Sequence, residues 1–354
     1  MTRYRCITEE PAGLAAFSLW VHGGPRCRPP ISRMGNKAGY AHALGALAGI
    51  RAGEGAGAYV WAEADDDVRA LLRAYTDAEA LRRIAEIIRS WADEEPRALW
   101  ERLRAERKAR PPKGEEGVAG WVMQAQWSFR CGFPESGFNT GVATGQAWNA
   151  DAPETADRCA SLATYAQIAG TAQGFEEVAG FMVEAAWSFR HGQPETGFRD
   201  PYGGFAGSGG GTDGLTLDGM ARRLHMSGWP PVLVLPAILP AATLAEALGT
   251  PGDLEGVLCY ADPPYVGTTG YTANLSRADV VRHALERAAM GARVMVSESG
   301  AVAELVAAGW QAHDIGHTRR GNKRTFAANS GEWVTMNFDP VDRYERVEQV
   351  ALFG

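Results

Sequence analysis

Cysteine is scarce in this chain of 354 residues, and the few cysteines present are widely scattered: Cys6, Cys27, Cys131, Cys159 and Cys259. Their number is odd and no two form a CxxC pair, which argues against a disulfide framework and against a zinc site. We therefore expect reduced thiols of a cytoplasmic protein and no bound metal.

Long uninterrupted apolar runs are also lacking. The longest stretch, residues 232–248, is broken by Pro236 and Pro240, so a membrane span is not expected. The first residues contain no apolar segment before Glu9 and Glu10, and a secretory signal is therefore not expected either. With 45% hydrophobic residues the chain can nevertheless bury a sizeable core, which excludes an intrinsically disordered protein.

Positive charge is in deficit, and lysine is rare. Lys and Arg total 35 against 42 Asp and Glu, giving a formal charge of −7, and lysine occurs only at Lys37, Lys108, Lys113 and Lys323. The acidic balance argues weakly against a nucleic-acid partner. The preference for arginine fits the codon usage of a GC-rich genome, but also the gripping of phosphates and base edges by a planar guanidinium group.

Short apolar runs alternate with helical periodicity over much of the chain. Strands are predicted at Tyr59–Ala62, Val232–Leu235, Val257–Ala261 and Arg293–Ser297, and helices at 39–50, 68–75, 78–91, 96–108, 241–248, 278–290 and 301–308. This pattern predicts an α/β fold with a largely parallel sheet covered on both faces. The segment up to Pro30 is expected to be irregular, and residues 319–338 are expected to form a closing hairpin.

An internal repeat lies between these regions. Trp127-Ser-Phe-Arg130 recurs as Trp187-Ser-Phe-Arg190, each within a longer matching segment that ends in a Gly-Pro turn. Two copies are too few for a solenoid, so we interpret them as a pseudo-symmetric, mainly helical insert. The aromatic residues are typical of a helix core, whereas the two arginines fit either a solvated surface or a phosphate-binding role.

The sharpest chemical feature is Asp262-Pro-Pro-Tyr265, directly after a predicted buried strand. Ligands of open α/β sheets bind beyond the carboxyl ends of strands. Consecutive prolines hold the backbone extended, so the Asp262 carboxylate and the neighbouring carbonyls form a rigid row of acceptors for an exocyclic amine. Tyr265 offers a flat face for a base. The alternative is a simple Pro-Pro turn that closes a strand.

These residues resemble the DPPY-type DNA adenine-N6 methyltransferases, of the Dam-like group. Ser32–Lys37 is similar to the family motif before the first helix, Val257–Tyr265 to the catalytic strand and loop, and Arg319–Asn337 to the final hairpin. The resemblance covers about residues 31–110 and 230–338. It implies a Rossmann-like class I methyltransferase sheet formed by residues 31–110 and 220–354, with a helical target-recognition insert at 111–219.

The resemblance also implies an activity. S-adenosylmethionine would donate a methyl group to N6 of an adenine flipped out of double-stranded DNA, with Asp262, Pro263, Pro264 and Tyr265 as the catalytic residues. Two alternatives remain open. The same acceptors could serve cytosine N4 or an RNA amine, or the chain could be a non-catalytic DNA-binding decoy. A role in restriction-modification, phage defence evasion or regulation does not follow from the sequence.

Further site residues are carried over from the family or inferred from charge. The cofactor-binding candidates are Arg33, Gly35, Asn36, Lys37, Glu63, Asp65 and Asp262. Asp65 is preferred over Glu63 as the ribose ligand, although an acidic helix N-terminus would explain this cluster too. The DNA-binding candidates are Arg107, Lys108, Arg110, Arg130, Arg190, Arg319, Arg320, Lys323 and Arg324, which concentrate positive charge in an otherwise acidic chain.

Overall fold

The computed structural model describes residues 4–23, 29, 37, 40–91, 94, 96–109, 114–127, 229–264, 275–316 and 331–340. Within these ranges the chain divides into two compact units. The first contains the described residues of 4–23, 37–69 and 230–340, and the second contains those of 70–127 together with residues 29 and 229. The boundary after Arg69 lies inside the region 31–110 that was assigned to the catalytic domain, and the assignment of functions to domains stays a prediction.

A seven-stranded, mostly parallel sheet forms the centre of the first unit. Its strands are β1 (Cys6–Glu9), β2 (Tyr59–Ala62), β3 (Val232–Leu235), β4 (Val257–Ala261), β5 (Arg293–Glu298), β6 (Gln311–Gly316) and β7 (Glu332–Met336). They lie in the order β3-β2-β1-β4-β5-β7-β6. Only β7 runs antiparallel to its neighbours β5 and β6. The predicted α/β class with a largely parallel sheet is confirmed.

The expectation of an irregular segment up to Pro30 is wrong for its described part. Residues 6–9 form β1, which pairs in parallel with both β2 and β4 and so lies in the middle of the sheet. The strand has only four residues, and two of them, Thr8 and Glu9, are polar yet buried. It therefore lacks the continuous apolar run by which the other parallel strands were predicted.

The described helices are α1 (Ala16–Gly23), α2 (Ala41–Ala48), α3 (Asp66–Tyr75), α4 (Ala78–Ser90), α5 (Pro96–Ala109), α6 (Gly114–Trp127), α7 (Ala241–Ala247), α8 (Arg277–Ala289) and α9 (Ala303–Ala307). Within the first unit, helices cover both faces of the sheet. Side chains from α7, α8 and α9 share a buried core with one face of the sheet, which includes Cys259. Helix α1 packs on the other face, where Phe17 lies edge-on to Tyr260 with ring centroids 5.6 Å apart. Cys259 and Tyr260 are neighbours on β4 but pack against helices on opposite faces, because successive side chains of a strand point to opposite faces of the sheet.

The closing hairpin differs from its prediction. The last strand, β7, lies where expected, but its hairpin partner is β6, at residues 311–316, and residues 317–330 lie outside the described part. Strand β6 reads Gln-Ala-His-Asp-Ile-Gly, and only its last two residues are buried. The sequence did not predict β6, because a half-exposed edge strand of this kind contains no continuous apolar run.

The second unit contains α4, α5 and α6, whose predicted or implied helical character is confirmed. Apolar side chains such as Leu81, Leu99 and Val122 are buried there. An ion pair of 2.8 Å between Arg83 and Glu115 joins α4 to α6 on the surface. The first repeat copy enters this unit only as the end of α6; the rest of that copy and the whole second copy lie outside the described residues.

Candidate functional site

Three acidic residues lie where neighbouring parallel strands end. Glu9 is the last residue of β1, while Glu63 and Asp262 directly follow β2 and β4. Strands β1, β2 and β3 progress toward one edge of the sheet, and the chain then returns to place β4 on the other side of β1. The gap between the ends of β1 and β4 is therefore the point at which the strand order reverses, the usual ligand position in an open α/β sheet.

Asp262 projects from the end of β4 on the face that carries α1. Its Oδ1 atom lies 3.1 Å from Nζ of Lys37, and its side chain keeps 19% of its surface exposed. Pro263 is buried and Pro264 is half-buried, whereas Tyr265 lies outside the described residues. One carboxylate oxygen is thus held by a cation, and the partial exposure leaves the group accessible to a ligand.

Lys37 is buried between two carboxylates. Its Nζ atom contacts Oε1 of Glu332, at the start of β7, at 3.0 Å, in addition to Oδ1 of Asp262. Burial alone would lower the pKa of the lysine, but the charges of Asp262 and Glu332 raise it above its ordinary value. The lysine is therefore a permanent cation at neutral pH, and the cluster of three groups carries a net negative charge when both carboxylates are ionised.

The acidity of Asp262 is altered by the same surroundings. Burial raises the pKa of its carboxyl group to about 7; Lys37 acts in the opposite direction, and Glu332 adds to the increase. A carboxyl group with a pKa near neutrality at a ligand position is a feature of functional sites. The group can exchange its proton in the physiological range.

Glu9 faces Asp262 across the end of the sheet. Its Oε1 atom accepts a 2.7 Å hydrogen bond from the backbone N–H of Ser18, in the first turn of α1. Burial raises the pKa of Glu9 to about 7, against the effect of its hydrogen bonds, and the charge of Asp262 contributes to the increase. Glu9 therefore holds the first turn of α1 in place. It is also the second carboxyl group of the site with a pKa of about 7.

The loop between β1 and α1 has a backbone conformation that favours glycine. Gly13 has a φ of 53°, and Ala15, a residue with a side chain, has a φ of 49°. No described atom lies within 4 Å of the position that a Cβ on Gly13 would take. The backbone N–H of Gly13 donates a 2.9 Å hydrogen bond to Oε2 of Glu63. The loop therefore presents open space beside the acidic end of β2.

Glu63 and Asp65 have different structural roles. Oε1 of Glu63 accepts the backbone N–H of Asp65 at 2.9 Å, so the Glu63 carboxylate is bonded to both the β1 loop and the start of α3. Asp65 is the N-cap of α3: its Oδ1 accepts the N–H groups of Asp67 at 3.0 Å and Val68 at 3.4 Å. Helix capping thus accounts for the acidic side chain of Asp65, and the preference for Asp65 over Glu63 as the ribose ligand stays a prediction.

A buried ion pair fixes the other side of the β1 loop. Glu10 contacts Arg287 of α8, and the same guanidinium donates to the carbonyl of Leu239 at 2.9 Å. Both side chains of the pair are buried, so neither charge can be removed without leaving the other uncompensated. Glu9 and Glu10 thus point to opposite faces of the sheet, and each of them anchors a helix.

Most of the predicted DNA-binding residues lie outside the described residues, as do three of the predicted cofactor ligands. Those outside are Arg110, Arg130, Arg190, Arg319, Arg320, Lys323 and Arg324 for DNA, and Arg33, Gly35 and Asn36 for the cofactor. Lys108 lies in α5, but its side chain is outside the description. Arg107 donates a 3.3 Å hydrogen bond to Gln124 of α6. These assignments stay predictions.

Three residues of the site escaped the sequence interpretation: Glu9, Gly13 and Glu332. Glu9 ends β1 and Gly13 lies in the loop between β1 and α1, which is the usual place for a ligand loop, but the polar residues Thr8 and Glu9 hid the strand that would have indicated it. No sequence feature near Glu332 indicates a site, because its contact with Lys37 joins residues that are distant in the chain.

Comparison of the chain with protein-family models and with curated proteins gave no match. The site is therefore interpreted from its own residues. Across the described ranges, with their gaps, no helix has both the length and the apolar character needed to cross a bilayer.

Proposed function

We propose that the protein is an S-adenosylmethionine-dependent methyltransferase that acts on N6 of adenine in DNA. The observation that carries the proposal is Asp262, held by Lys37 at the carboxyl end of β4, next to the point at which the strand order reverses. A partly exposed carboxylate followed by two prolines is suited to accept hydrogen bonds from an exocyclic amine. The adjacent Tyr265 belongs to the same sequence motif.

The sheet supports the proposal at the level of fold. Its order, β3-β2-β1-β4-β5-β7-β6 with an antiparallel β7, is compatible with the Rossmann-like sheet that the resemblance implies. Helix α6 is the described element that falls within the proposed target-recognition insert at 111–219. Fold alone does not determine function, so the argument depends on the residues at the strand ends.

The described residues fit S-adenosylmethionine. The cofactor carries a positive sulfonium centre, and the acidic side chains Glu9, Glu63 and Asp262 give the strand ends a negative potential. Glu63 would accept hydrogen bonds from the ribose hydroxyl groups, and the open space over Gly13 would admit the ligand close to the backbone. When bound, the cofactor supplies an electrophilic methyl group.

The remaining chemistry falls to the protein. The lone pair of the adenine amine is delocalised into the ring, which makes N6 a weak nucleophile. Asp262 and the carbonyl of Pro263 would accept its two N–H groups, localise the lone pair on nitrogen and stabilise the positive charge that develops there. The amine loses one proton after transfer, and a carboxylate with a pKa of about 7 is a suitable first acceptor for it.

The direct test is transfer of a labelled methyl group from S-adenosylmethionine to unmethylated DNA. The wild type is expected to label DNA, and Asp262→Asn, which keeps the shape and removes the charge, is expected to lose at least about a hundredfold in rate. Asp253→Asn is the matched control, because Asp253 lies in the exposed turn before β4 and its Oδ1 accepts only a local backbone N–H in the described structure. Equal rates for the wild type and Asp262→Asn would overturn the role of Asp262.

The same experiment separates the alternative activities. Mass spectrometry of digested nucleosides distinguishes N6-methyladenine from N4-methylcytosine, and parallel reactions with RNA test the other acceptor. Calorimetric titration with S-adenosylmethionine tests the decoy: folded wild-type protein that binds no cofactor at millimolar concentration would contradict the enzyme proposal.

A further inference from the structure

We propose that Glu332 is a positioning residue that acts on Asp262 through Lys37, and that by sharing the charge of the lysine it keeps the Asp262 carboxylate a strong acceptor for the substrate amine. This inference rests on the proposed function and deepens it. Glu332 lies on β7, far in sequence from the Asp-Pro-Pro-Tyr motif.

The geometry places one ammonium group between two carboxylates. Nζ of Lys37 lies 3.1 Å from Oδ1 of Asp262 and 3.0 Å from Oε1 of Glu332, so neither acid has a clear advantage in distance. The side chains of Lys37 and Glu332 are almost fully buried, whereas that of Asp262 is partly exposed. Glu332, which is closed to solvent, therefore holds the lysine, whereas Asp262 is the carboxylate that faces a ligand.

Lys37 is held in this position by its own surroundings. The backbone N–H of Tyr40 donates a 2.9 Å hydrogen bond to the carbonyl oxygen of Lys37. The ring of Tyr40 lies 5.9 Å from Nζ, within the range of a cation–π interaction. Glu332 pairs with Gly316 of β6 in the antiparallel end of the sheet. The sheet thus fixes the Glu332 end of the contact, and the hydrogen bond and the ring of Tyr40 hold the Lys37 end.

The charge balance gives the arrangement its chemical effect. If Lys37 served Asp262 alone, the pair would be neutral, and the carboxylate would be a weaker acceptor for a second donor. A second carboxylate on the same ammonium group leaves a net negative charge on the cluster, and in a buried site this charge is poorly screened. The part of it that resides on Asp262 is available to the developing cation on the amine.

Other charged groups around Asp262 act in the same direction as Glu332. They are Glu9 at the end of β1 and Glu298 at the end of β5. The phenol of Tyr260 on β4, which shares a 2.9 Å hydrogen bond with Ser297, is neutral because burial raises its pKa. Glu298 is itself paired with Arg277, which reduces its influence. Glu332 is the carboxylate that shares the cation bound to Asp262, and its removal should therefore have a specific signature.

The test measures the ionisation of Asp262 without requiring methyl transfer. Carbon-13 NMR of protein labelled at the aspartate carboxyl groups follows Asp262, which Asp262→Asn identifies by the loss of its signal. We expect Glu332→Gln to lower the pKa of Asp262 by about one unit, and Lys37→Met to raise it, because the first variant removes a negative neighbour and the second a positive one. Glu332→Asp, which retracts the charge by one methylene group, should give a smaller shift in the direction of Glu332→Gln.

Enzyme kinetics provide a second test of the role of Glu332. We expect Glu332→Gln to lower kcat about tenfold, with KM for DNA changed less than twofold, and to move the acid limb of the pH profile to lower pH. Lys37→Met should move that limb to higher pH. Loss of packing alone would not displace the limb in opposite directions in the two variants. Glu304→Gln is the control, because Glu304 is an exposed residue of α9 that pairs with Arg277.

The failures of the two proposals are distinguishable. An unchanged Asp262 titration in both Glu332→Gln and Glu332→Asp would overturn the inference, even if the wild type transfers methyl groups. If the Asp262 titration shifts as expected in the variants while the wild type transfers no methyl group, the coupling of the three residues is supported and the proposed function is overturned.

Discussion

The backbone N–H of Gly13 donates to Oε2 of Glu63 at 2.9 Å and so joins the loop after β1 to the end of β2. The other oxygen of the same carboxylate accepts the N–H of Asp65. Glu63 is only 9% exposed, yet its side chain borders the open space over Gly13. It therefore connects three elements of the proposed cofactor site.

We expect Glu63→Gln to weaken S-adenosylmethionine binding about tenfold. The amide can accept only one of the two backbone N–H groups, and it offers a ribose diol a weaker acceptor than a carboxylate does. Isothermal titration calorimetry measures the affinity, and urea unfolding should show a loss of about 1–2 kcal/mol from the unmatched N–H group. Unchanged affinity in a folded variant would remove Glu63 from the cofactor site.

Asp65 should behave differently, because it caps α3. Asp65→Ala is expected to lower the free energy of unfolding by about 1 kcal/mol, whereas Asp65→Asn, a comparable N-cap, should be nearly neutral. Neither variant is expected to alter the affinity for the cofactor by more than about twofold. A large loss of affinity in Asp65→Asn would restore Asp65 as the preferred ribose ligand.

The sequence predicted those parts of the fold that are encoded locally. Strand β4 and the strands at 59–62 and 293–298 are mainly apolar runs of the right length and are mostly buried, whereas β3 is just as apolar but lies at the sheet edge and stays partly exposed. Placing Asp262 at a strand end required only the recognition of β4. Strand β1 was missed because Glu9 and Thr8, although buried, are polar, and Glu9 is accommodated by hydrogen bonds to the first turn of α1, among them that from the N–H of Ser18.

Contacts between distant residues were the other limit. Lys37 was singled out because lysine is rare, but its position between Asp262 and Glu332 depends on the order of strands in the sheet. Periodicity and propensity describe neighbours along the chain and contain no information on such a pairing. The choice of Asp65 over Glu63 as ribose ligand stays a prediction, and the capping bonds of Asp65 become visible only when the start of α3 is known.

Close packing of α1 against α2 gives a prediction on stability. A Cβ atom built on Gly45 would lie 2.4 Å from Cζ3 of Trp20 and 2.9 Å from the carbonyl oxygen of Ile50. Gly45→Ala is therefore expected to destabilise the protein by about 1–3 kcal/mol through overpacking. Gly300→Ala is the control, since no described atom lies within 4 Å of its Cβ position.

Urea unfolding of the two glycine variants provides the comparison. Replacement of Trp20 by leucine in the Gly45→Ala background should recover part of the loss, because it removes the ring that the new methyl group meets. Equal stability of Gly45→Ala and Gly300→Ala would show that the two helices can separate at no cost, contrary to the tight contact.

The buried carboxyl group of Glu9 makes stability depend on pH. Its pKa is raised to about 7 in the folded protein, so the folded state binds a proton that the unfolded state has already released above its ordinary pKa of 4.5. The resulting stabilisation is fully present below about pH 4.5 and is lost as the pH rises through 7. Glu9→Gln keeps the acceptor for the N–H of Ser18 and removes the ionisation.

We therefore expect the difference in unfolding free energy between Glu9→Gln and the wild type to change by about 1–3 kcal/mol from pH 5 to pH 8, in favour of the variant at the higher pH. Urea titrations at pH 5, 6, 7 and 8 measure this difference, and taking it between two otherwise identical proteins cancels the contributions of most other ionisable groups. A difference that is constant with pH would mean that Glu9 is ionised in the folded protein at pH 5, and that the N–H donors of α1 outweigh its burial.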